Sequence, residues 1–366
     1  MNNGVNEELL ELFLTLVRID ATSGKEKPVA DFIQNFVSDI GIPSYVDDAA
    51  SLSGGNTGNV VVQVKGGGDF VLMSHMDTPR STAGVKPQLL VDRVTSDGTT
   101  ILGVDDRGGI ASLLWALKKA VKEDCIKPCT FLFTVCEETT LAGSQFFVPT
   151  CELTHGYAFD SHLSPGMFVN ETCGAISFRI IIHGLSSHAG VAPEKGINAI
   201  QIAMEGLRRF PFGRIDASTT ANIGIINGGQ ATNVVPELVT LEGEIRTDLI
   251  LTGEKMMAEV ITDFEKTAKR YGGNVEFKWW WDFKPYCITP DLAPYRRLER
   301  LFSHLSLPMQ GVKSMGGSDA NNMNAKGLPT INLGVGAKNP HSIDEFILYS
   351  ELQQAADMAF ALITII

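Results

Sequence analysis

Several apolar runs in this chain end abruptly in acid or histidine: DFVLMSHMD (69–77), CTFLFTVCEE (129–138) and GYAFD (156–160). Strands that are apolar without alternation are buried on both faces, which requires a sheet covered by helices on either side. NVVVQVKG (59–66) reads as a further strand, and GGIASLLWALKKAVKE (108–123) places Ile110, Leu113, Leu114 and Leu117 at helical spacing. Residues 6–40 read as a helix, a turn at Ser23–Gly24–Lys25, and a second helix through Val29, Phe32 and Phe36. The fold class that follows is α/β, with a mostly parallel twisted sheet flanked by helices. Open sheets of this kind gather their chemistry just beyond the strand ends.

The pattern changes near residue 174. AISFRIIIHG and VTLEGEIRTDL alternate apolar and polar residues, as half-exposed strands do. With the helical stretches 196–210 and 253–272 and the strand NVEFKWWWDF (274–283), they describe a small one-layer α+β, ferredoxin-like domain. From about residue 287 the first pattern returns: a helix, the buried strand LPTINLGV (328–335), and a terminal helix after Ser350. The expected organisation is a catalytic domain in two segments, 1–174 and 287–366, with residues 175–286 inserted as a lid. A length of 366 residues suits two domains at about 150 residues each.

A net charge of -12 argues against nucleic-acid and anionic-membrane partners. No apolar run approaches the ~20 residues of a membrane span, and the polar, acidic start lacks a signal peptide's basic opening. Six cysteines without a C-x-x-C pair suit scattered thiols, mostly buried, in a reducing compartment. The expectation is a soluble, cytoplasmic protein.

Five segments carry candidate chemistry. His75 and Asp77, two apart on an extended chain, point the same way. Asp105 and Asp106 stand directly ahead of a helix, Glu137 and Glu138 end an apolar run, and Asp160 closes another. His341 lies in Asn339–Pro340–His341–Ser342, before what reads as an acidic helix start at Asp344–Glu345. Singly, each has a structural explanation, such as a turn-forming aspartate or carboxylates complementing a helix dipole. Together they form the nitrogen and oxygen donor set that zinc accepts, with a carboxylate left over to act as base.

The ordered motifs S-H-M-D-T-P, G-V-D-D-R-G-G-I-A, C-E-E-T-T-L-A-G-S, the strand-end Asp160 and N-P-H-S resemble the metal-site signature of the dizinc aminoacylase, carboxypeptidase G and tripeptidase family. G-L-S-S-H-A-G-V-A-P-E-K-G-I-N-A-I and G-G-Q-A-T-N-V-V-P are similar to its peptidase T branch, and the match runs from about residue 8 to 366. The resemblance implies two zinc ions, replaceable by cobalt or manganese. One would be held by His75 and Asp160, the other by Glu138 and His341, with Asp105 bridging both. It implies a cis peptide after Asp105, Asp77 orienting His75, and Glu137 as general base for a water held between the metals.

It further implies that His188 crosses a homodimer, built through the lid, to the partner's site. Arg246 would pair with a substrate carboxylate, and Asn233, Gly317 and Ser318 would lie near the substrate. The expected activity is aminopeptidase action on tripeptides or similar short peptides. A deacylase or carboxypeptidase acting on N-acyl amino acids is the alternative, and a silent peptide-binding protein a remote one. The chain is short for a tripeptidase of this type, so trimmed loops are expected around the pocket.

Overall fold

The computed structural model describes residues 4–366; Met1–Asn3, the first residues of the polar start, lie outside them. The described residues form two compact units, one of residues 4–171, 287–314 and 318–366, the other of residues 172–286 and 315–317.

The first unit is built on a nine-stranded sheet. Its centre is four parallel strands in the spatial order Cys129–Thr134, Phe70–His75, His155–Ser161 and Thr330–Gly334. Antiparallel strands extend both sides: Val60–Val64 and Ser44–Val46 beyond Cys129–Thr134, and Met167–Thr172 beyond Thr330–Gly334. Every residue of Phe70–His75 and of Cys129–Thr134 is buried, which is why their sequences show no alternation. The helix Val104–Lys122 is buried nearly all round from Asp106 to Leu117, because the helices Glu7–Val17 and Tyr349–Thr364 cover its outer side. Gly109 permits its close approach to the sheet: a Cβ there would stand 2.1 Å from the Phe159 carbonyl oxygen.

The second unit is an antiparallel sheet in the order Gly213–Arg214, Thr220–Gly228, Leu238–Thr247, Gly174–His183, Asn274–Phe283. Ile176, Phe178, Ile180 and Ile182 turn every second side chain of Gly174–His183 to one face. There the helices Ala199–Leu207 and Ile250–Tyr271 close the core with Ala203, Met257 and Phe264. Thr220–Gly228 pairs outward only with the two-residue strand at 213–214, so most of its length is an open edge. Ile225 and Ile226 on that edge are 49% and 58% exposed.

Two local expectations need correction. Asp344–Glu345 does not open a helix. Phe346 pairs with Lys338 in both directions, and Phe346–Leu348 joins Arg93–Thr95 as a strand, which separates Asp344–Glu345 from the terminal helix Tyr349–Thr364. The cysteines are all free, but only Cys129, Cys136 and Cys173 are buried. No helix among the described residues is long and apolar enough to cross a membrane.

Candidate metal centre

His75, Glu137, Glu138 and Asp160 come together because their strands are parallel neighbours. His75 is in register with Thr134, and the strand ending at Asp160–Ser161 lies on the other side of Phe70–His75. All three strands therefore deliver their last residues to one edge. Beyond Thr134 the chain turns through Cys136 at φ +55° into the short helix Glu137–Thr140. That left-handed turn is held by Glu26, whose Oε1 accepts the N–H groups of Cys136 at 2.9 Å and Gly24 at 2.8 Å. Asp105 enters from the start of the helix Val104–Lys122, where the Asp105–Asp106 peptide is cis, as the resemblance implies.

His75 Nε2 lies 3.0 Å from Asp105 Oδ1 and 3.5 Å from Asp160 Oδ1. His341 Nε2 lies 3.3 Å from Asp105 Oδ2 and 3.1 Å from Glu138 Oε2. Asp105 thus presents one oxygen to each histidine. On its other side, His75 Nδ1 is 3.0 Å from the Asp77 carbonyl oxygen and 3.4 Å from its carboxylate. The Asp77 carboxylate, fully buried, accepts the N–H groups of Glu137 at 3.0 Å and Glu138 at 3.1 Å, and the Ser23 hydroxyl at 2.6 Å. Asp77 therefore orients His75, chiefly through its backbone carbonyl, and with its carboxylate fixes the turn that carries the two glutamates.

So many carboxylates in one buried place perturb one another. Burial raises Glu137 well above the ordinary carboxylate range, and the neighbouring Asp160 adds to it. Burial likewise raises Glu138 and Asp106. Asp105 moves the other way: burial opposes its charge, but hydrogen bonds with His341 and His75 hold it below the usual range. Asp105 and Glu138 push His341 up to about 10. His75 is raised against its burial by Asp105, Asp160 and Asp77. These shifts oppose the accumulation of negative charge, the response expected where like charges share a site shielded from water.

Several supporting residues carried no signal of this role in sequence. Asp106 accepts the Ser74 hydroxyl, the His75 N–H at 3.3 Å and the Gly109 N–H at 3.1 Å. With its oxygens so engaged it braces the site, while Asp105 and Asp160 face His75 Nε2. Arg107 is completely buried, donates to the Met76 and Ile19 carbonyls, and gives positive charge behind Asp77 and Asp106. Asp319 is buried against Thr134, and burial pushes it up to about 6.

The remaining expected residues are placed as follows. Ser318 caps the helix Asp319–Ala325 through a reciprocal pair with Asn321. In the second unit, His188 is exposed and bridges to Val234, with the Ala189 N–H donating to the Asn233 carbonyl at 2.9 Å. Gly317 leaves room for the Phe283 ring, 2.5 Å from where a Cβ would stand. Arg246 pairs bidentately with Glu244, at 2.7 and 2.9 Å, and donates to the Met315 carbonyl at 2.6 Å. Of the five N–H donors of a guanidinium, three are engaged and two remain for a ligand.

Sequence comparison matches residues 59–164 to the profile described as peptidase family M28 and residues 170–272 to the M20 peptidase dimerisation domain. The chain is 36% identical to an uncharacterized Bacillus subtilis protein, YqjE, over 98% of both. It is 34% identical to aminopeptidase PepT from Bacillus cereus, with 98% of each chain covered and a TM-score of 0.89. A tripeptidase from Staphylococcus aureus gives 30% identity, the same coverage and a TM-score of 0.89. The chain belongs to the peptidase T-like M20 metallopeptidases. Its length matches that of these solved relatives, but it covers only 88% of peptidase T from Exiguobacterium sibiricum, to which it is 25% identical, so against that relative the chain is the shorter one, as expected.

An M20 peptidase needs metal, and the donor set meets that need. The candidate ligands are imidazole nitrogens and carboxylate oxygens, and ligand atoms of Asp105, Glu138 and His341 lie within 4.8 Å of one another. Glu138 Oε1 is buried without a hydrogen-bond partner, an orphan that a cation would satisfy. Asp77→Ala keeps the carbonyl that His75 meets but removes the carboxylate that flanks His75 at 3.4 Å and holds the glutamate turn. Zinc titrated calorimetrically into the metal-free variant should bind ~10–100-fold more weakly than to wild type. Unchanged affinity would contradict the role given to Asp77.

Proposed function

We propose that this peptidase is a dizinc aminopeptidase that releases the N-terminal residue of tripeptides, working as a homodimer in the cytoplasm. The observation that carries the reading is Asp105 set between two histidines, at 3.0 and 3.3 Å, beside a half-buried glutamate, Glu137, that the ligand set leaves over. In this reading His75, Asp160 and Asp105 would hold one ion, and Glu138, His341 and Asp105 the other. The chemistry the metals supply when bound is Lewis acidity, which polarises the scissile carbonyl and lowers the pKa of water.

The chain's own groups do the rest. Glu137 takes a proton from the attacking water and passes it to the leaving amine nitrogen, completing hydrolysis of the amide. Asp77 keeps His75 in one orientation, so that Nε2 faces the ligands. Arg246 is proposed to receive the substrate's terminal carboxylate, and Asn233, Gly317 and Ser318 to contact the substrate. The tripeptide class is supported by the relatives described as PepT and as a tripeptidase, and zinc by the mixed imidazole and carboxylate donors. Six free cysteines fit a reducing cytoplasm.

The activity is tested by comparing tripeptides, dipeptides and N-acyl amino acids on one zinc-loaded preparation. Tripeptides should give the highest kcat/KM, with the N-terminal residue released first. Glu137→Ala should keep two metals while turnover falls by at least ~10²-fold, the scale of general base catalysis. Preferred cleavage of N-acyl amino acids would replace the aminopeptidase with a deacylase. Near-normal turnover of the variant would remove Glu137 from the mechanism.

The homodimer rests on the matched dimerisation domain and on the open edge at Thr220–Gly228, whose exposed isoleucines and unpaired backbone suit a second copy. His188 is proposed to serve the partner's site, donating to the oxyanion that forms there. Mixing inactive Glu137→Ala with inactive His188→Ala should then restore part of the activity, since one site per heterodimer keeps both groups. Subunit exchange shown by tagged pull-down, with no activity regained, would refute the crossing.

A further inference from the structure

Glu345 has no part in the ligand set, yet it is buried to 1% exposure and its carboxylate is committed to backbone. Oε2 accepts the Gly103 N–H at 2.6 Å and Oε1 the Asp105 N–H at 3.0 Å. These groups lie at the head of the helix Val104–Lys122, where Gly103 is left-handed and offers no side-chain cap, and where Asp105 and Asp106 are not helical. Helix starts leave N–H groups without partners, and a carboxylate is the strongest neighbour for them. The cap for the Asp105 turn thus comes from a residue 240 positions along the chain.

The other end of Glu345 is equally fixed. It stands four residues after His341, inside a loop closed by the two-way pairing of Lys338 with Phe346. Its own N–H donates to the Ser342 carbonyl at 3.1 Å, and its carbonyl accepts the Thr95 hydroxyl at 3.3 Å. Ser96 ties the same loop by donating to the Ile343 carbonyl at 3.2 Å. His341 itself lies at φ +64° and half exposed, a conformation that needs support from its surroundings. One rigidly held carboxylate therefore joins the loop carrying His341 to the turn carrying Asp105.

We propose that Glu345 is a positioning residue that sets the spacing of Asp105 and His341, and so governs occupancy of the Asp105–Glu138–His341 metal position. The proposal rests on the two-metal reading above. His75 and Asp160 are fixed by their own strands, so the position they share with Asp105 should depend on Glu345 much less. The consequence is selective: one of two metal equivalents should be lost.

The test is calorimetric titration of zinc into the metal-free, full-length chain, as wild type and as Glu345→Gln, with melting curves of both metal-free proteins. Glutamine keeps the length but turns an amide N–H toward a backbone N–H. In the variant one zinc equivalent should bind ~10–100-fold more weakly, the usual effect of losing an outer partner of a ligand. The other equivalent and the metal-free melting temperature should stay near wild type. Two unchanged equivalents would overturn the proposal. So would two equivalents that weaken together with a lowered metal-free melting temperature, the mark of a purely structural role. Wild type binding fewer than two equivalents would instead overturn the dinuclear reading, and the proposal with it. Should Glu345→Gln fail to fold, Glu345→Asp, which keeps the charge but shortens the reach, is read by the same criterion.

Discussion

The electrostatic crowding of carboxylates at the ends of three parallel strands is the constraint around which the first unit is arranged. Asp77, Asp105, Asp106, Glu137, Glu138, Asp160 and Asp319 all approach His75 or its neighbours; Asp77, Asp106 and Asp319 are buried and the others half-buried. Two unit charges 4 Å apart interact by about 4 kcal/mol even at an effective dielectric of 20. Such a cluster forms only where its cost is offset. The molecule does so with a buried arginine behind the site, two histidines within it, and backbone N–H groups aimed at the outer carboxylates. Divalent cations bound among these carboxylates would complete that balance.

The outer carboxylates divide the labour by what they grip. Glu26, Asp77 and Glu345 bind mainly backbone N–H groups, and each holds a turn that presents a functional side chain: Cys136 ahead of Glu137, the Glu137–Glu138 step, and the approach to Asp105. Asp106 holds Ser74 and the His75 N–H, tightening the strand end itself. Function is thus placed on turns made rigid by charge-assisted hydrogen bonds. The sheet contributes the common edge at which those turns meet.

The parts legible in sequence share one property: their signal is local. The apolar runs ending at His75, Glu137 and Asp160 announce both the buried sheet and the strand-end site. The alternation in 174–183 and 238–247 announces the half-exposed sheet of the second unit. What escaped is non-local. Glu345 and Glu26 act on backbone 242 and 110 residues away, and nothing in their own neighbourhoods marks that. Glu345 read as a helix start because acids often open helices, whereas pairing of Phe346 with Lys338 and of Phe346–Leu348 with Arg93–Thr95 makes the segment a strand. Strands of two or three residues, such as Gln88–Leu89 and Arg93–Thr95, are too short for any period to show. The Glu244–Arg246 pair lay within reach, since residues two apart on a strand share a face, and it limits which donors of Arg246 stay free.

The central claim, that this cluster is a dinuclear metal site bridged by Asp105, is tested most directly by anomalous diffraction at the zinc edge from crystals of the zinc-loaded protein. Two peaks are expected, both in contact with Asp105, one also with His75 and Asp160 and the other with Glu138 and His341. A single peak, or two peaks that share no contact with Asp105, would contradict it.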